Sequence, residues 1–501
     1  MPRPPPSGVF LASLVLALAS LASSLASTAP SDRARLVILA DMGHDPDDEQ
    51  QIMHLLVYAN EVEIEGLIAV TGRYFRPNPT ERVKDLRPYL FHHFIDGYRL
   101  VYPNLQLHAS GWPTPDYLHG IVASGQTDNG IADTGPGKST AGSRLIIAAA
   151  TKPDPRPLHI VINGGGNTLA QALHDYRATH TLAEVKAFVA RLRVFDNAGQ
   201  DDAGAWIAHE FPELHFIRGI GQNRAFGGPT NANLGPHVWK PYPYTPSGQD
   251  AWFEENVRTR HGPLGSRHPT RRVGETVHFM GGGGTIPLIG LTVRGLTDHS
   301  EPSWGGWRGR FTVEKQPNVP SLFAIIHPDE EKFRPYAAYT DATTPPDRWT
   351  DPTDGKIYDD AYTGVWRWRD AMWADLKARM DWCVQPYDKA NHHPVAALNG
   401  DTTSAIIRRT AKPGDVLTFD ASASTDPDGD ALRFSWWTYP EAGRRPYGKP
   451  LTLENSTAPA ITFTVPADTG GRELHLILEI WDQNPLAPLM AYRRVVITVA
   501  P

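Results

Sequence analysis

One cysteine in 501 residues, Cys383, is too few for an internal disulfide, so stability must come from packing and bound groups rather than from covalent staples. Its setting, Met380-Asp381-Trp382-Cys383-Val384, is apolar and lacks a nearby histidine, which reads as a buried small hydrophobe and not a nucleophile. Long apolar runs are equally scarce. Beyond the first 29 residues no stretch approaches the ~20 apolar residues of a membrane-spanning helix. Positive charge is not in excess either: 48 Lys and Arg against 55 Asp and Glu give a net charge of −7. Without a basic stripe to neutralise phosphates, nucleic acid is not an expected partner.

The single apolar run, Val9 to Ala22, follows the cation Arg3 and ends in the small residues Ser27-Thr28-Ala29. That pattern predicts a secretory signal peptide over 1–29, hence a secreted, extracellular or periplasmic protein whose mature chain has no membrane span. With 41% hydrophobic and 21% charged residues the remainder is ordinary globular sequence, and its length exceeds what one core supports, so at least two domains are expected. Fourteen Trp are many; they suit either core filling or the stacking of sugar rings.

From Arg35 to Ile220 strand-like and helix-like patterns alternate. Leu36-Val37-Ile38-Leu39 is a buried-strand run; Ile52, Leu55, Leu56 and Ala59 recur at helical spacing; Ile64 to Val70 is apolar again. Further segments at 145–150, 158–162, 169–173, 192–195, 203–208 and 215–217 continue the alternation, which predicts an α/β domain with a mostly parallel sheet flanked by helices. Ligands of such sheets bind beyond the carboxyl ends of the strands, which singles out Asp41, Thr71, Asn163, Asp196 and Gly221. Residues 222 to 310 lack periodicity and read as long loops closing over one end of the sheet. Trp366, Trp368, Met372, Trp373, Leu376, Met380 and Cys383 then predict a core-facing helix ending near residue 384.

After Pro394 the style changes to short β-branched and aromatic runs (416–419, 432–436, 461–465, 474–480, 494–498) separated by Pro, Gly and Asp, which predicts a small all-β immunoglobulin-like sandwich over 385–501 behind an α/β domain over 30–384. The stretch from Asp420 to Asp430, with Asp426-Pro427-Asp428-Gly429-Asp430, resembles a loop of polycystic-kidney-disease and cadherin-type modules. It reads as a structural turn or as a Ca²⁺ loop.

Asp41-Met42-Gly43-His44-Asp45-Pro46-Asp47-Asp48-Glu49 puts five carboxylates in nine residues after the first strand. A helix start accounts for one capping Asp and one or two more favoured by the dipole, at ~0.3–1 kcal/mol each. Gathering Asp41, Asp45, Asp47 and Asp48 beyond that calls for a hard cation, and Ca²⁺ takes six to eight such oxygens.

This loop resembles the opening Asp-x-Asp-Pro-Gly-x-Asp-Asp of the inosine–uridine-preferring nucleoside hydrolases. The chain is more similar still to a secreted group of cellulose-binding proteins with a nucleoside-hydrolase-like domain. That resemblance rests on the Asp-Pro-Asp-Asp loop, Tyr58-Ala59-Asn60-Glu61, Gly164-Gly165-Gly166-Asn167-Thr168-Leu169-Ala170, Gln200-Asp201-Asp202-Ala203-Gly204, Trp304-Gly305-Gly306-Trp307 and Arg379-Met380-Asp381-Trp382-Cys383. It covers nearly the whole mature chain.

The resemblance implies a nucleoside-hydrolase-like fold, a Ca²⁺ ion and a carbohydrate ligand, an oligo- or polysaccharide or a nucleoside. It also exposes a departure, because Gly43 falls where the family has its water-activating Asp. Carried over residue by residue, Asp45 becomes the base that takes a proton from metal-bound water. Asp41, Asp45, Asp48, the Asn167 carbonyl and Asp298 become metal ligands, with His299 or Glu301 as other sources of the late ligand. Asp47, Asp201, Asp202, Glu301 and Trp304 become sugar contacts, with Gln200 beside them; Asp201-Asp202 reads equally as a helix N-cap. Gly305-Gly306 suggests that Trp304 and Trp307 lie on an exposed loop. The expected activity is metal-assisted hydrolysis of a furanosyl bond, which by direct attack of water inverts the anomeric centre. The alternative is a carbohydrate-binding protein on the same fold without catalysis.

Overall fold

The computed structural model describes residue 1 and residues 33–43, 47–72, 86–222, 252–269, 271–273, 276–279, 284–293, 295–322, 328–352 and 355–501. The expected signal peptide and Asp45 lie outside them.

Alternation in the first strand, β1 (Ala34–Ala40), sets the architecture. Leu36, Ile38 and Ala40 enter one hydrophobic core, while Val37 and Leu39 enter another. Both faces are therefore covered, which is why the strand reads as an unbroken apolar run. Helix α1 (Asp47–Val57) leads to β2 (Val62–Ala69), α2 (Pro88–His108), α3 (Pro115–Gly120), β3 (Val122–Ser124) and α4 (Ala141–Thr151). Then follow β4 (Leu158–Ile162), α5 (Asn167–Thr179), α6 (Leu182–Ala190), β5 (Leu192–Asn197), α7 (Ala203–Glu210) and β6 (His215–Gly219). Two later strands, β7 (Gln316–Pro317) and β8 (Ala337–Thr340), complete an eight-stranded sheet of order β3-β2-β1-β4-β5-β6-β8-β7. Only the β8–β7 pair is antiparallel. The order reverses between β1 and β4, where the chain leaves the two central strands in opposite directions. Such a switch point opens a crevice at the carboxyl edge, bounded by Asp41 and Asn163.

The tryptophan-rich helix α8 (Arg369–Trp382) packs into the core on one face, with Met372, Trp373, Leu376 and Met380 fully buried, as its spacing predicts. Cys383 is buried behind it, and burial pushes its thiol well above the usual range.

The C-terminal region is a sandwich. Strands β9 (Ile407–Ala411), β11 (Leu432–Thr438), β13 (Glu473–Asp482) and β14 (Met490–Val499) form one sheet, of order β9-β14-β13-β11; β10 (Val416–Asp420) and β12 (Ala460–Thr464) form the other. Phe419, Trp436, Ile461, Phe463, Leu478 and Ile497 fill the space between them. In the loop resembling a calcium loop, Asp426 accepts the Asp428 and Asp430 backbone N–H groups at 2.9 and 3.1 Å. Asp428 accepts from the His392 backbone N–H at 2.7 Å, and Asp430 from the Asn484 amide at 2.8 Å. These carboxylates hold a turn together.

Residues 33–501 form one compact unit. The Trp307 indole donates to the Tyr492 hydroxyl at 3.0 Å, and the Arg494 guanidinium to the Trp304 carbonyl at 2.8 Å. Trp304 and Trp307 are 2% and 3% exposed, which corrects the expectation of an exposed loop. Gly305, at φ +72°, lies directly against the Tyr439 ring, where a Cβ would collide. The glycine pair serves the close approach of the Tyr439 and Thr297 side chains to the backbone, not exposure.

Candidate functional site at the carboxyl edge

Asp41 leaves β1 4% exposed and Asp48 sits in the first turn of α1 at 3% exposure; Asp47 between them is half-buried. Asp47, Asp48 and Glu49 all fall at the positive end of the helix dipole. Glycines let the neighbouring strands close on Asp41: a Cβ on Gly164 would stand 3.1 Å from the Asp41 Cβ, and one on Gly72 would strike the Asp41 carboxylate and the Gln200 amide. Asp41, Gly72, Gly164 and Gln200 therefore share one crevice at the switch point.

A directed chain of amides reaches Asp48. The Asn197 amide donates to Asn163 Oδ1 at 3.1 Å, Asn163 Nδ2 donates to Gln51 Oε1 at 2.5 Å, and Gln51 Nε2 donates to Asp48 Oδ1. Gln200 donates to the Asn163 carbonyl. Within the Asn197–Asn163–Gln51 chain each donor points toward the carboxylate, so the chain favours Asp48 as an anion and fixes its rotamer. Gln51 was not singled out in the sequence; its spacing of three from Asp48, on one helix face, is the signal that finds it.

Asp201 lies against the same glycine run. A Cβ on Gly165 would come within 2.6 Å of its Oδ2. Its Oδ1 accepts the Gly166 and Ala203 backbone N–H groups at 3.0 and 3.1 Å, bridging the starts of α5 and α7. Oδ2 is buried without a hydrogen-bond partner. Burial raises the carboxyl to about 7, against the two N–H bonds and with help from the charges of Asp202 and Asp196. Asp202 is spent on structure: it accepts the Ile131 N–H at 2.7 Å and pairs with Lys332 at 3.0 Å.

Asn167, Asp298, His299, Glu301, Trp304 and Asp196 depart from expectation. Asn167 is the first residue of α5, so its carbonyl serves the helix, and its side chain donates to the carbonyls of Asp128 and Gly130. Its carbonyl and side-chain amide are thus both spent on structure, and Asn163 is the residue that follows β4 at the edge. Asp298 accepts the Ser300 N–H at 3.0 Å and pairs with Arg408 at 2.8 Å. The next residue, His299, meets the His159 ring edge-on at 5.2 Å. His159, the second residue of β4, lies four residues, or about 13 Å, before Asn163, so Asp298 and His299 belong to the amino end of the sheet. Glu301 pairs with Arg444 at 2.9 Å and Trp304 packs on His475, both in the sandwich; neither is brought to the carboxyl edge. Asp196, expected just past a strand, lies within β5 and is locked between sheet and loop by Arg218 at 3.0 Å.

Gly43 has φ +83°, and a Cβ there would stand 2.6 Å from Leu90 and 2.7 Å from Arg87. A side chain there would be strained by the positive φ and would require the Leu90 and Arg87 side chains to move. Among the described residues no three His, Cys, Asp or Glu side chains share a metal-sized site. The donors that do meet, carboxylates and amide oxygens, are all hard oxygens, the chemistry that suits Ca²⁺.

Two family models match the chain. One, described as cellulose-binding Sde182, nucleoside hydrolase-like domain, covers residues 35–311; the other, cellulose-binding protein Sde0182, C-terminal domain, covers 416–499. A solved structure from Saccharophagus degradans is described as a nucleoside hydrolase-related hypothetical protein associated with carbohydrate metabolism. It is 36% identical, spans 93% of this chain and 100% of its own, and superposes with a TM-score of 0.77. The solution structure of a PKD domain from human KIAA0319 matches 22% of the chain at 11% identity and a TM-score of 0.16, too weak to carry an argument. No curated protein matches.

Proposed function

Because the chain belongs to the cellulose-binding Sde182 family with its nucleoside-hydrolase-like domain, we propose that its carboxyl-edge crevice binds a sugar and hydrolyses a glycosyl bond, of furanosyl type, in an exported protein. The observation that carries this is Asp41 at the end of β1 packed against Gly72, Gly164 and Gln200, with Gln200 bonded to Asn163 and the Asn197–Asn163–Gln51 chain directed at Asp48.

Asp41 and Asp48, joined by Asp45 from the loop between them, would hold Ca²⁺, which when bound makes water more acidic and gathers vicinal hydroxyls. Asp47 and Gln200 hold hydroxyls at the rim. The carboxylates favour positive charge developing on the sugar ring as its bond to the leaving group lengthens. Asp45 is the base in this reading. Asp201 stays behind Gly165 as a positioning residue for the glycine turn.

Gly43 favours a second reading, in which the site binds carbohydrate without turnover, since the family's water-activating carboxylate is missing there and the positive φ disfavours any side chain at that position. The two separate in one experiment. The full chain with Ca²⁺, with and without chelator, is incubated with nucleosides, aryl pentofuranosides and aryl hexosides while free sugar is followed. Chelator-sensitive release that drops at least 100-fold in Asp48→Asn supports hydrolysis. Silence across the panel with retained binding to insoluble glycan sinks it in favour of the binding protein.

A further inference from the structure

A groove with a volume of about 670 Å³ runs between the sandwich and the end of the α/β region, with no residue of the carboxyl-edge crevice in its lining. That volume lies within the range of ligand sites, roughly 300–1,000 Å³. One wall is the outer face of the four-stranded sheet. Arg433, Ser435 and Trp437 alternate along β11, and their partners across β13 are Trp481, Glu479 and Ile477. The next row on β14 sets Met490 opposite Trp481 and Tyr492 opposite Glu479. The opposite wall comes from the start of α8, with Trp368 and Asp370, and from Trp349 on a hairpin where it stacks with Tyr358 at 6.1 Å.

The aromatic residues divide into two classes. Trp368 and Tyr492 are 2% and 3% exposed and form the floor, their rings 5.8 Å apart. These close the junction and need no ligand. Trp349, Trp437 and Trp481 are only half-buried and keep part of each indole open to the groove. Indoles left open in a concave site, when filling the gap would bury them, are the surfaces on which flat apolar ligands stack. Polar groups stand beside two of them: Glu479 accepts from the Trp481 indole at 3.5 Å, Arg433 lies 5.4 Å from the Trp481 ring, and Arg367 lies 4.4 Å from Trp437. The cations are already offset, Arg367 by Asp347 at 3.7 Å and Arg348 by Asp359 at 3.5 Å, with Asp370 and Glu479 also in the lining. With both signs present the groove selects no strongly charged ligand.

We propose that this groove is a second carbohydrate site, which takes a neutral oligosaccharide of pyranose units with equatorial hydroxyls. Such sugars present apolar C–H faces to the indoles of Trp349, Trp437 and Trp481, and turn their hydroxyls outward to Glu479, Ser435 and the arginines. The proposal goes beyond the reading of the carboxyl edge and stands without it.

The test uses the full chain and cellohexaose as the probe, followed by tryptophan fluorescence and titration calorimetry. Wild type binds with a change in indole emission; Trp481→Ala and Trp437→Ala each weaken binding at least tenfold. Trp349→Ala on the hairpin and Trp481→Phe, which retains a ring, serve as milder variants, and thermal melts identify any that fail to fold. Asp48→Asn leaves the affinity as in wild type. Absence of binding at millimolar cellohexaose would overturn the proposal. So would affinity that survives every folded tryptophan variant, or affinity that is lost in Asp48→Asn alone, which assigns the sugar to the carboxyl edge.

Discussion

Asp201 couples the candidate site to stability through a single proton. With its carboxyl raised to about 7 from 3.8, the folded state holds the proton more tightly than the unfolded chain does. The contribution to stability is therefore largest below pH 4 and is lost as pH rises through 7, a swing of up to roughly 4 kcal/mol. Asp201→Asn keeps an oxygen for the Gly166 and Ala203 N–H groups and removes the charge. Urea unfolding should show the variant gaining on wild type between pH 5 and pH 8.5; a constant difference would mean that Asp201 is not a buried, proton-holding acid. Gly43 gives a complementary prediction. At φ +83° and against Leu90 and Arg87, Gly43→Ala should cost about 1–3 kcal/mol by strain and overlap, read as a lowered melting temperature. A wild-type melt would show that the turn relaxes freely and that a carboxylate could be restored there.

Elements reveal why some sequence motifs carried structural rather than chemical meaning. Arg379 on α8 donates to the Val57 carbonyl and Asn60 Oδ1 at 3.1 and 3.0 Å and pairs with Asp375 and Glu61 at 3.0 and 3.2 Å. The Tyr58-Ala59-Asn60-Glu61 and Arg379-to-Cys383 motifs are thus two halves of one clamp between α1 and α8. Arg379→Met leaves Asp375 and Glu61 without it and should cost ~3–5 kcal/mol in chemical denaturation; a loss below 1 kcal/mol would mean that other groups neutralise them. Strands β1, β2, β4, β5 and β6 were legible because burial on both faces makes each an apolar run, whereas the short, half-buried β3 was not; the edge residues Asp41 and Asn163 followed from strand ends. Helix α2 was not, since Pro103 lies inside it and its exposed face carries Tyr89 and Leu100, which blurs the periodicity. Strands β7 and β8 were hidden for another reason: they are short, and β8 joins the sheet by pairing with β6, more than a hundred residues away in sequence, with β7 added only through β8. The glycines of Trp304-Gly305-Gly306-Trp307 looked like loop signals because a close approach and an open turn demand the same residue.

For the whole molecule, the sandwich and the α/β region act as one folding unit. The Tyr439 hydroxyl donates to Asp347, which also pairs with Arg310 at 2.5 Å, and Trp307 reaches Tyr492. Calorimetry should show one unfolding transition, and two well-separated transitions would contradict this. His393 in the connecting segment pairs with Asp375 at 2.9 Å. Burial alone would lower its pKa, but the Asp375 carboxylate prevails and raises it. The stability it contributes is complete below the unfolded value near 6.5 and fades as pH rises through the raised folded value. The stability gap between wild type and His393→Ala should accordingly narrow above neutral pH. The central claim is that the crevice at the switch point between β1 and β4 is the sugar site, and the most direct measurement is a crystal structure after soaking with Ca²⁺ and ribose. Density for a cation between Asp41 and Asp48, with sugar hydroxyls on Asp47 or Gln200, is the expected result. A crevice that stays closed over Asp41, with sugar bound only elsewhere on the molecule, would contradict it.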